Sequence, residues 1–323
     1  MRLAVLIPAA RAARTLGQAL ESVASQTRAP QRTLVVTSPD DHETLAVARH
    51  HAAEILQQTS SSPAQARNRG MLALEGSADW IAFLDADDWW DPGWLRQAED
   101  AILAHPAAAL VAGGILESFS DGTRVARSLP PDLEQHPFER LLIQTCITTS
   151  AVLVRSSALP SHAPFDERAD AIGEDYALWL ELAARHDVVT VPGHWVYYRR
   201  HAESVSNRID RFEDMRRQHL LIVEGAMARR AVSPEIRRQA LANVYRQSAE
   251  RLLHHGQRRE ARRDLRLALQ LSPAEARLWL AAALSAISHD HRAQLLHLRR
   301  WLRSVWGASE TPASRPGTKE QAE

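Results

Sequence analysis

Short apolar runs alternate with amphipathic stretches along the first part of the chain. The apolar runs predict buried strands at residues 3–7, 33–36, 53–57 and 80–84. Apolar residues at helical spacing predict helices between them, at residues 15–26, 43–50 and 64–74. Gly70 is expected to interrupt the third helix. Because strands and helices alternate, the pattern predicts an α/β fold with a mostly parallel sheet, right-handed crossovers and flanking helices.

Apolar runs and stretches with helical spacing continue to alternate up to residue 206, with longer irregular segments between them. Helical spacing predicts two more helices, at residues 92–105 and 174–185. Apolar runs predict four more strands, at residues 108–116, 151–154, 188–191 and 195–198. Residues 119–136, with Pro130 and Pro131 near their centre, are predicted to form a loop. These elements complete a predicted domain over residues 1–206.

The pattern changes after Asn207. Residues 207–307 are rich in Arg, Ala and Leu at helical spacing and predict an all-helical C-terminal region. Within it, residues 241–280 resemble a single tetratricopeptide-type hairpin, with Gly256 at the turn and Pro273 at the end. Residues 308–323 are rich in Ser, Pro, Thr, Glu and Gly, and this composition predicts a disordered tail.

The formal net charge of zero conceals an asymmetry between the two halves of the chain. Residues 207–323 contain 22 Lys and Arg against 13 Asp and Glu, whereas the remainder is acidic. An acidic half followed by a basic half indicates different partners for each. The basic residues 292–306 carry leucines and two tryptophans at helical spacing, which favours a helix lying in a membrane interface. The alternative is a last helix packed on the helical region with its arginines in water.

The rest of the composition is that of an intracellular globular protein. The single cysteine, Cys146, excludes an internal disulfide and is typical of a reducing compartment. No run approaches the roughly 18 apolar residues of a membrane span. We therefore expect a cytoplasmic protein, with a peripheral contact at the inner face of the membrane if residues 292–306 form the interfacial helix, and no nucleic-acid partner.

The most informative segment is I-A-F-L-D-A-D-D-W-W, residues 81–90, in which a buried strand ends in three aspartates. Ligands of open α/β sheets bind beyond the carboxyl ends of strands, and carboxylate oxygens suit Mg²⁺ or Mn²⁺ shared with phosphate oxygens. Asp87 is the expected direct metal ligand, and Asp85 is expected to contact ribose or the metal. Asp88 or Asp91 is also expected to cap the following helix, which would explain one of the aspartates but not all three.

Five segments in a fixed order together resemble the family 2 glycosyltransferases of the GT-A fold, which is Rossmann-like. The segments are L-A-V-L-I-P at 3–8, A-Q-A-R-N-R-G at 64–70, the acidic segment at 81–90, G-E-D-Y-A-L-W-L-E-L at 173–182 and Y-R-R-H-A-E-S-V-S at 198–206. The resemblance implies a metal-dependent, inverting transfer of a sugar from a nucleotide diphosphate sugar. The implied acceptor is a hydroxyl of a glycan or lipid-linked molecule, and the implied cofactor is Mn²⁺ or Mg²⁺.

The resemblance also implies roles for individual residues. Asp175 is implied as the catalytic base, beside Glu174, and His201 as a third metal ligand, although a surface loop histidine is an equal alternative. The implied contacts to the donor or acceptor are Pro8, Thr37, Ser38, Arg67, Asp85 and Trp179. Trp179 has the helical phase of a core residue, and Trp89 and Trp90 are further candidates for stacking on a sugar.

The chain departs from the family pattern at two places. Ala9 and Ala10 replace the usual Tyr-Asn after the first strand, and Thr37 and Ser38 replace two aspartates that usually follow the second strand. The nucleotide is therefore not predicted, and a degenerate, non-catalytic nucleotide-sugar-binding or scaffold protein is an alternative. A phosphohydrolase with an aspartate nucleophile is a weaker alternative, because the acidic strand is the fourth and Trp89 stands where a small residue is expected.

Overall fold

The computed structural model describes residues 1–59, 62–168, 172–200, 211–275 and 278–279. Its first part is a parallel half-sheet covered by helices, as the alternating pattern predicts. The strands are β1 Leu3–Pro8, β2 Arg32–Thr37, β3 Glu54–Gln57 and β4 Trp80–Phe83. The helices are α1 Leu16–Ala24, α2 His42–His50 and α3 Pro63–Leu74. All three strand pairings in this half are parallel, so the carboxyl ends of the strands meet at one edge.

The second half of the sheet is mostly antiparallel, which makes the whole sheet mixed. Its strands are β5 Trp89–Trp90, β6 Ala108–Phe119, β7 Arg124–Arg127, β8 Val152–Arg155 and β9 Asp187–Arg200. Its helices are α4 Trp94–Ala104, α5 Pro137–Ile143 and α6 Glu174–Arg185. The strand order is β3-β2-β1-β4-β8-β6-β9-β5, with β7 paired to β6. The predicted α/β class is confirmed, and β8 joins the two halves by pairing antiparallel with both β4 and β6.

Two of the segments predicted in the second half differ from the sequence-based prediction. The loop expected at residues 119–136 contains β7, which pairs with β6 to form a hairpin. The two strands expected at residues 188–191 and 195–198 are one long strand, β9, whose register shifts beside Gly193. Gly193 has a φ of 99°, a conformation open to glycine but rare for other residues. This irregularity explains why the apolar pattern is broken there.

The chain after β9 is helical in its described part, as predicted. The helices are α7 Phe212–Arg229, α8 Pro234–His254 and α9 Arg258–Leu271. Val223 of α7 and Val244 of α8 belong to the same buried cluster as Phe83 of the sheet. α8 and α9 meet at Gly256, which has a φ of 78°, but the tetratricopeptide-type resemblance stays a prediction. Within the described ranges, no helix combines the length and apolar character that crossing a membrane requires.

Several predictions concern residues outside the described ranges. They include the metal role of His201, the membrane-interface helix at residues 292–306 and the disordered tail at residues 308–323. The domain boundary predicted at residue 206 also lies in an undescribed segment.

The helix α3 runs through Gly70 without the expected interruption. The glycine is needed for packing, because a Cβ atom at this position would lie 2.2 Å from Cδ1 of Leu6 on β1. This close approach brings the polar face of α3, including Arg67, towards the end of β4. The glycine therefore contributes to the placement of the site.

We expect Gly70→Ala to lower the free energy of unfolding by about 1–3 kcal/mol, the typical effect of overpacking a core. Gly17→Ala in α1 is the matched control, because its Cβ would approach no atom closer than 3.5 Å, the distance to His51 Nε2. The control should be neutral or stabilising, since alanine is favoured over glycine in helices by about 0.5–1 kcal/mol. Urea unfolding monitored by circular dichroism measures both, and an equal effect of the two substitutions would contradict the packing argument.

Candidate active site

The three aspartates that follow β4 have different environments. Asp85 and Asp87 are half-buried, whereas Asp88 is 1% exposed. The backbone N–H of Asp88 donates to the Asp85 carbonyl oxygen at 3.0 Å, so the segment turns tightly at the end of the strand. The backbone N–H of Asp85 donates to Ser150 Oγ at 3.1 Å. The turn thus presents Asp85 and Asp87 at the sheet edge and directs Asp88 inwards.

The carboxylate of Asp88 holds the turn together. Its Oδ2 accepts the Ser150 hydroxyl at 2.5 Å, and its Oδ1 accepts the backbone N–H of Arg199 at 2.8 Å. The alternative that Asp88 caps α4 is therefore wrong, because both carboxylate oxygens are used elsewhere. Asp91 lies nearer that helix, and its Oδ1 accepts the backbone N–H of Gly93 at 2.9 Å.

Arg67 connects the aspartates after β4 to the start of α6. Its Nη2 donates to Asp85 Oδ1 at 2.7 Å, and its Nη1 donates to Glu174 Oε1 at 3.0 Å. Arg67 is 5% exposed, so this double ion pair is largely shielded from solvent. The neighbouring Asn68 is also buried and hydrogen-bonds Phe165. Arg67 therefore lies beside the acidic residues and pairs with two carboxylates, and its role in binding the donor stays a prediction.

Asp175 occupies the first turn of α6. Gly173 precedes the helix with a φ of 82°, a left-handed conformation that favours glycine. Asp175 Oδ1 accepts the backbone N–H of Tyr176 at 2.7 Å, and Oδ2 accepts the Thr149 hydroxyl at 2.7 Å. The carboxylate is thus oriented by two hydrogen bonds and keeps further lone pairs on its oxygens.

The site contains more negative charge than its arginines balance. Burial raises the pKa of Asp85, against the opposing charge of Arg67 and with the added repulsion of Asp87. Burial, followed by repulsion from Asp87 and Asp85, raises the pKa of Asp88 well above its ordinary value. Burial and Asp175 likewise raise the pKa of Glu174, although Arg67 opposes the shift. A bound cation would relieve this repulsion.

Arg199 on β9 contacts the turn of residues 85–88, called the acidic turn below. Its Nε donates to the Asp87 carbonyl oxygen at 2.8 Å, and its guanidinium lies 4.8 Å from the centre of the Trp89 ring. Trp89 also stacks on Tyr197, with 5.1 Å between the centroids and 4° between the planes. Two protein groups thus contact the Trp89 ring, and the expectation that it stacks on a sugar stays a prediction. Trp90 is buried and donates to the Ser150 carbonyl oxygen at 2.7 Å, so it does not stack on a sugar.

The residues predicted to contact the donor base lie at the same sheet edge. Pro8 ends β1 and is in register with Val36 of β2, next to Thr37. Thr37 is 2% exposed, and its hydroxyl has no hydrogen-bond partner among the described residues. The hydroxyl of Ser38 accepts the backbone N–H of Asp40 at 3.3 Å. Their role in binding a base stays a prediction.

Trp179 does not lie on the surface of the site. It is 1% exposed, and its ring centre lies 6.0 Å from that of Phe83 and 6.2 Å from that of Phe165. The expectation that it binds the substrate is wrong, and the alternative of a core residue is confirmed. The reason is that the inward face of α6 packs on the sheet beyond its first turn.

The residues missed by the sequence analysis are Thr149 and Ser150. They form a short 3-10 turn before β8 and are both buried. Thr149 hydrogen-bonds Asp175, whereas Ser150 hydrogen-bonds both Asp88 and the backbone of Asp85. The available signal was weak: two hydroxyl residues stand directly before an apolar strand, where a buried polar group needs a partner.

Comparisons with known proteins bear on the family and the fold of the chain. The family model described as "Glycosyl transferase family 2" matches residues 4–163. The succinoglycan biosynthesis protein ExoW of Rhizobium meliloti (strain 1021) is 35% identical over 89 residues, which are 26% of this chain and 28% of that protein. The match thus spans little more than a quarter of that relative.

Two solved structures share the fold over nearly the whole chain. S. aureus TarS 1–349 in complex with UDP has a TM-score of 0.56 at 16% identity, covering 97% of this chain and 93% of that chain. The mannosyltransferase PcManGT from Pyrobaculum calidifontis, in complex with GDP-Man and Mn²⁺, has a TM-score of 0.55 at 16% identity, covering 95% and 88%. At this identity the likeness concerns the fold alone. The family match over residues 4–163, together with this shared GT-A fold, indicates a glycosyltransferase.

Proposed function

We propose that the protein transfers a sugar from a nucleotide diphosphate sugar to a hydroxyl group of a glycan or lipid-linked acceptor, with inversion at the anomeric carbon and with Mn²⁺ or Mg²⁺ at the diphosphate. The observation that carries this proposal is the double ion pair of Arg67 with Asp85 and Glu174. It joins an acidic turn suited to a metal-bound diphosphate and a helix start suited to a base. A glycosyltransferase needs its diphosphate site and its base to lie no further apart than the length of one sugar.

Asp175 is the proposed base. Its carboxylate takes the proton of the acceptor hydroxyl while the acceptor oxygen forms a bond to the anomeric carbon. The bond between that carbon and the diphosphate oxygen breaks, and the nucleoside diphosphate leaves with the bonding electrons. Because one displacement occurs and no covalent enzyme intermediate forms, the configuration is inverted. Glu174 is already paired with Arg67, which supports a positioning role for it.

The residues present fit a divalent cation that is shared with the substrate. Buried carboxylates that repel one another gain from a positive ion, and Asp85 and Asp87 would hold it. Among the described residues, no group of three His, Cys, Asp or Glu side chains could hold a metal, so diphosphate oxygens would complete the coordination. When bound, the ion would stabilise the negative charge that develops on the departing diphosphate.

The comparisons support this substrate class without identifying its members. TarS was solved with UDP and PcManGT with GDP-Man and Mn²⁺, so either type of nucleotide is compatible with the fold. The relation to a succinoglycan biosynthesis protein supports a glycan acceptor. Thr37 and Ser38 at the end of β2 are the residues that we propose to contact the base.

A thermal-shift screen tests the donor class. The full chain is heated with UDP-glucose, UDP-N-acetylglucosamine, GDP-mannose and the corresponding diphosphates, each with Mn²⁺ or with EDTA. A donor at about 100 times its Kd should stabilise the protein by about 2.7 kcal/mol, and EDTA should remove most of this effect. If no donor raises the Tm, the nucleotide-sugar proposal is contradicted. Stabilisation without any release of nucleoside diphosphate, with or without added acceptors, would favour the non-catalytic alternative.

A further inference from the structure

His219 on α7 packs against the turn that begins α6. A Cβ atom added to Gly173 would lie 3.1 Å from both Cδ2 and Nε2 of His219. The same imidazole ring meets the ring of Tyr176 edge to face, with 5.9 Å between the centroids. His219 is 9% exposed, so these contacts belong to the packed interior of the protein.

The two contacts lie on either side of Asp175 in the sequence. Gly173 has a φ of 82°, so its conformation disfavours any residue with a side chain. The space beside it is also filled, because Ile222 Cδ1 lies 3.3 Å from the position a Cβ would take. The first turn of α6, which carries Asp175, is therefore packed against α7 at this point.

His219 contacts the Gly173 turn through the packing of its ring and not through a charge. Burial, followed by the nearby charge of Arg251 on α8, lowers the pKa of His219 to about 4, although Asp175 on α6 opposes the shift. The imidazole is thus neutral at neutral pH. An aromatic ring without a charge could replace it, which gives a way to test the role.

We propose that His219 is a positioning residue for Asp175, whose ring holds the Gly173 turn so that the carboxylate faces the acceptor hydroxyl. This inference rests on the proposed role of Asp175 as the base. His219 and Asp175 both lie beyond the residues 4–163 that the family model matches. The helical region after β9 thereby contributes to catalysis without contacting the substrate.

Three variants of the full chain separate positioning from general stabilisation. His219→Ala removes the ring, and His219→Phe keeps a flat ring against Gly173. His255→Ala is the matched control in the same helical region, since His255 meets Phe212 edge to face at 5.0 Å. This control removes an edge-to-face ring contact on α7 and leaves the contacts of His219 and Ile222 at Gly173 in place.

The measured quantity is the release of nucleoside diphosphate, with Mn²⁺ and the donor that stabilises the protein. We expect His219→Ala to lower kcat by about 10- to 100-fold, because small misplacements of a reacting group have effects of this size. The KM for the donor should stay nearly unchanged, since the donor side of the site is intact. His219→Phe should recover most of kcat, and His255→Ala should keep the wild-type kcat even if its Tm falls.

A wild-type kcat in folded His219→Ala, or an equal loss in His255→Ala, would overturn the inference. If His219→Ala does not fold, His219→Leu carries the same comparison, with a reduced kcat expected and a wild-type kcat contradicting it. The proposed function fails separately, if Asp175→Asn itself remains active. With Asp175→Asn inactive and His219→Ala fully active, only the positioning role fails.

Discussion

Replacing Asp175 with asparagine should lower kcat by about 10²–10⁴-fold, the usual contribution of a general base, while donor binding stays near wild type. Asparagine keeps the size of the side chain, and its carbonyl oxygen can still accept the Thr149 hydroxyl that now donates to Asp175 at 2.7 Å. It cannot take a proton from an acceptor hydroxyl. Steady-state release of nucleoside diphosphate measures kcat, and calorimetry with donor and Mn²⁺ measures binding.

Glu174→Gln is the matched comparison on the same turn. Glu174 Oε1 accepts Arg67 Nη1 at 3.0 Å, and a glutamine carbonyl oxygen can keep that hydrogen bond without the charge. We therefore expect a smaller loss of kcat than in Asp175→Asn. A larger loss in Glu174→Gln would move the base to that residue, and full activity of both variants would reject the site.

The acidic turn could be predicted because its signal is local. Strands buried on both faces appear as continuous apolar runs, and β4 is one of these, with Asp85 and Asp87 directly after it. The parallel order of the first four strands then follows from their alternation with helices. Likewise, Gly173 followed by two acidic residues indicates the start of a helix, and α6 begins at Glu174.

The residues that hold the carboxylates of the site in place, Thr149 and Ser150, could not be predicted. They lie far in the sequence from the residues that they contact. Ser150 contacts Asp88 across 62 positions, and Thr149 contacts Asp175 across 26. No spacing in the sequence indicates that a 3-10 turn before β8 would lie beneath the acidic turn. Helical phase placed Trp179 on the inward face of α6, but that face borders both the core and the site, so phase alone could not distinguish the two.

The short edge elements were missed for a different reason. β5 has two residues and β7 has four, of which only Val125 is partly buried. Such short strands contain neither a long apolar run nor a repeated alternation of apolar and polar residues, which are the patterns that predict strands from a sequence. Their formation depends on the partners β9 and β6, which are fixed only once the sheet is assembled. The consequence for the site is direct, since the pairing of β5 with β9 stacks Trp89 on Tyr197 and brings Arg199 to the acidic turn.

Asp87→Ala should abolish metal-dependent activity by weakening Mn²⁺ binding. The loss of affinity should exceed the roughly 10–100-fold typical of residues that only support a metal ligand. Asp88 is not expected to take over the role, because it is 1% exposed and its carboxylate is directed inwards, to Ser150 and the backbone of Arg199. Electron paramagnetic resonance of Mn²⁺ titrated in the presence of a nucleoside diphosphate measures the affinity without requiring turnover.

Asp91→Asn is the control for this substitution. It removes a carboxylate charge four residues away, and its carbonyl oxygen can still accept the N–H of Gly93. We expect it to bind Mn²⁺ and nucleotide like the wild type, because Asp91 supports the start of α4 rather than the acidic turn. Equal weakening in both variants would indicate a general electrostatic effect of the acidic region. Unchanged Mn²⁺ affinity in Asp87→Ala would show that the cation, if bound, is held elsewhere, and the proposed donor site would then be wrong.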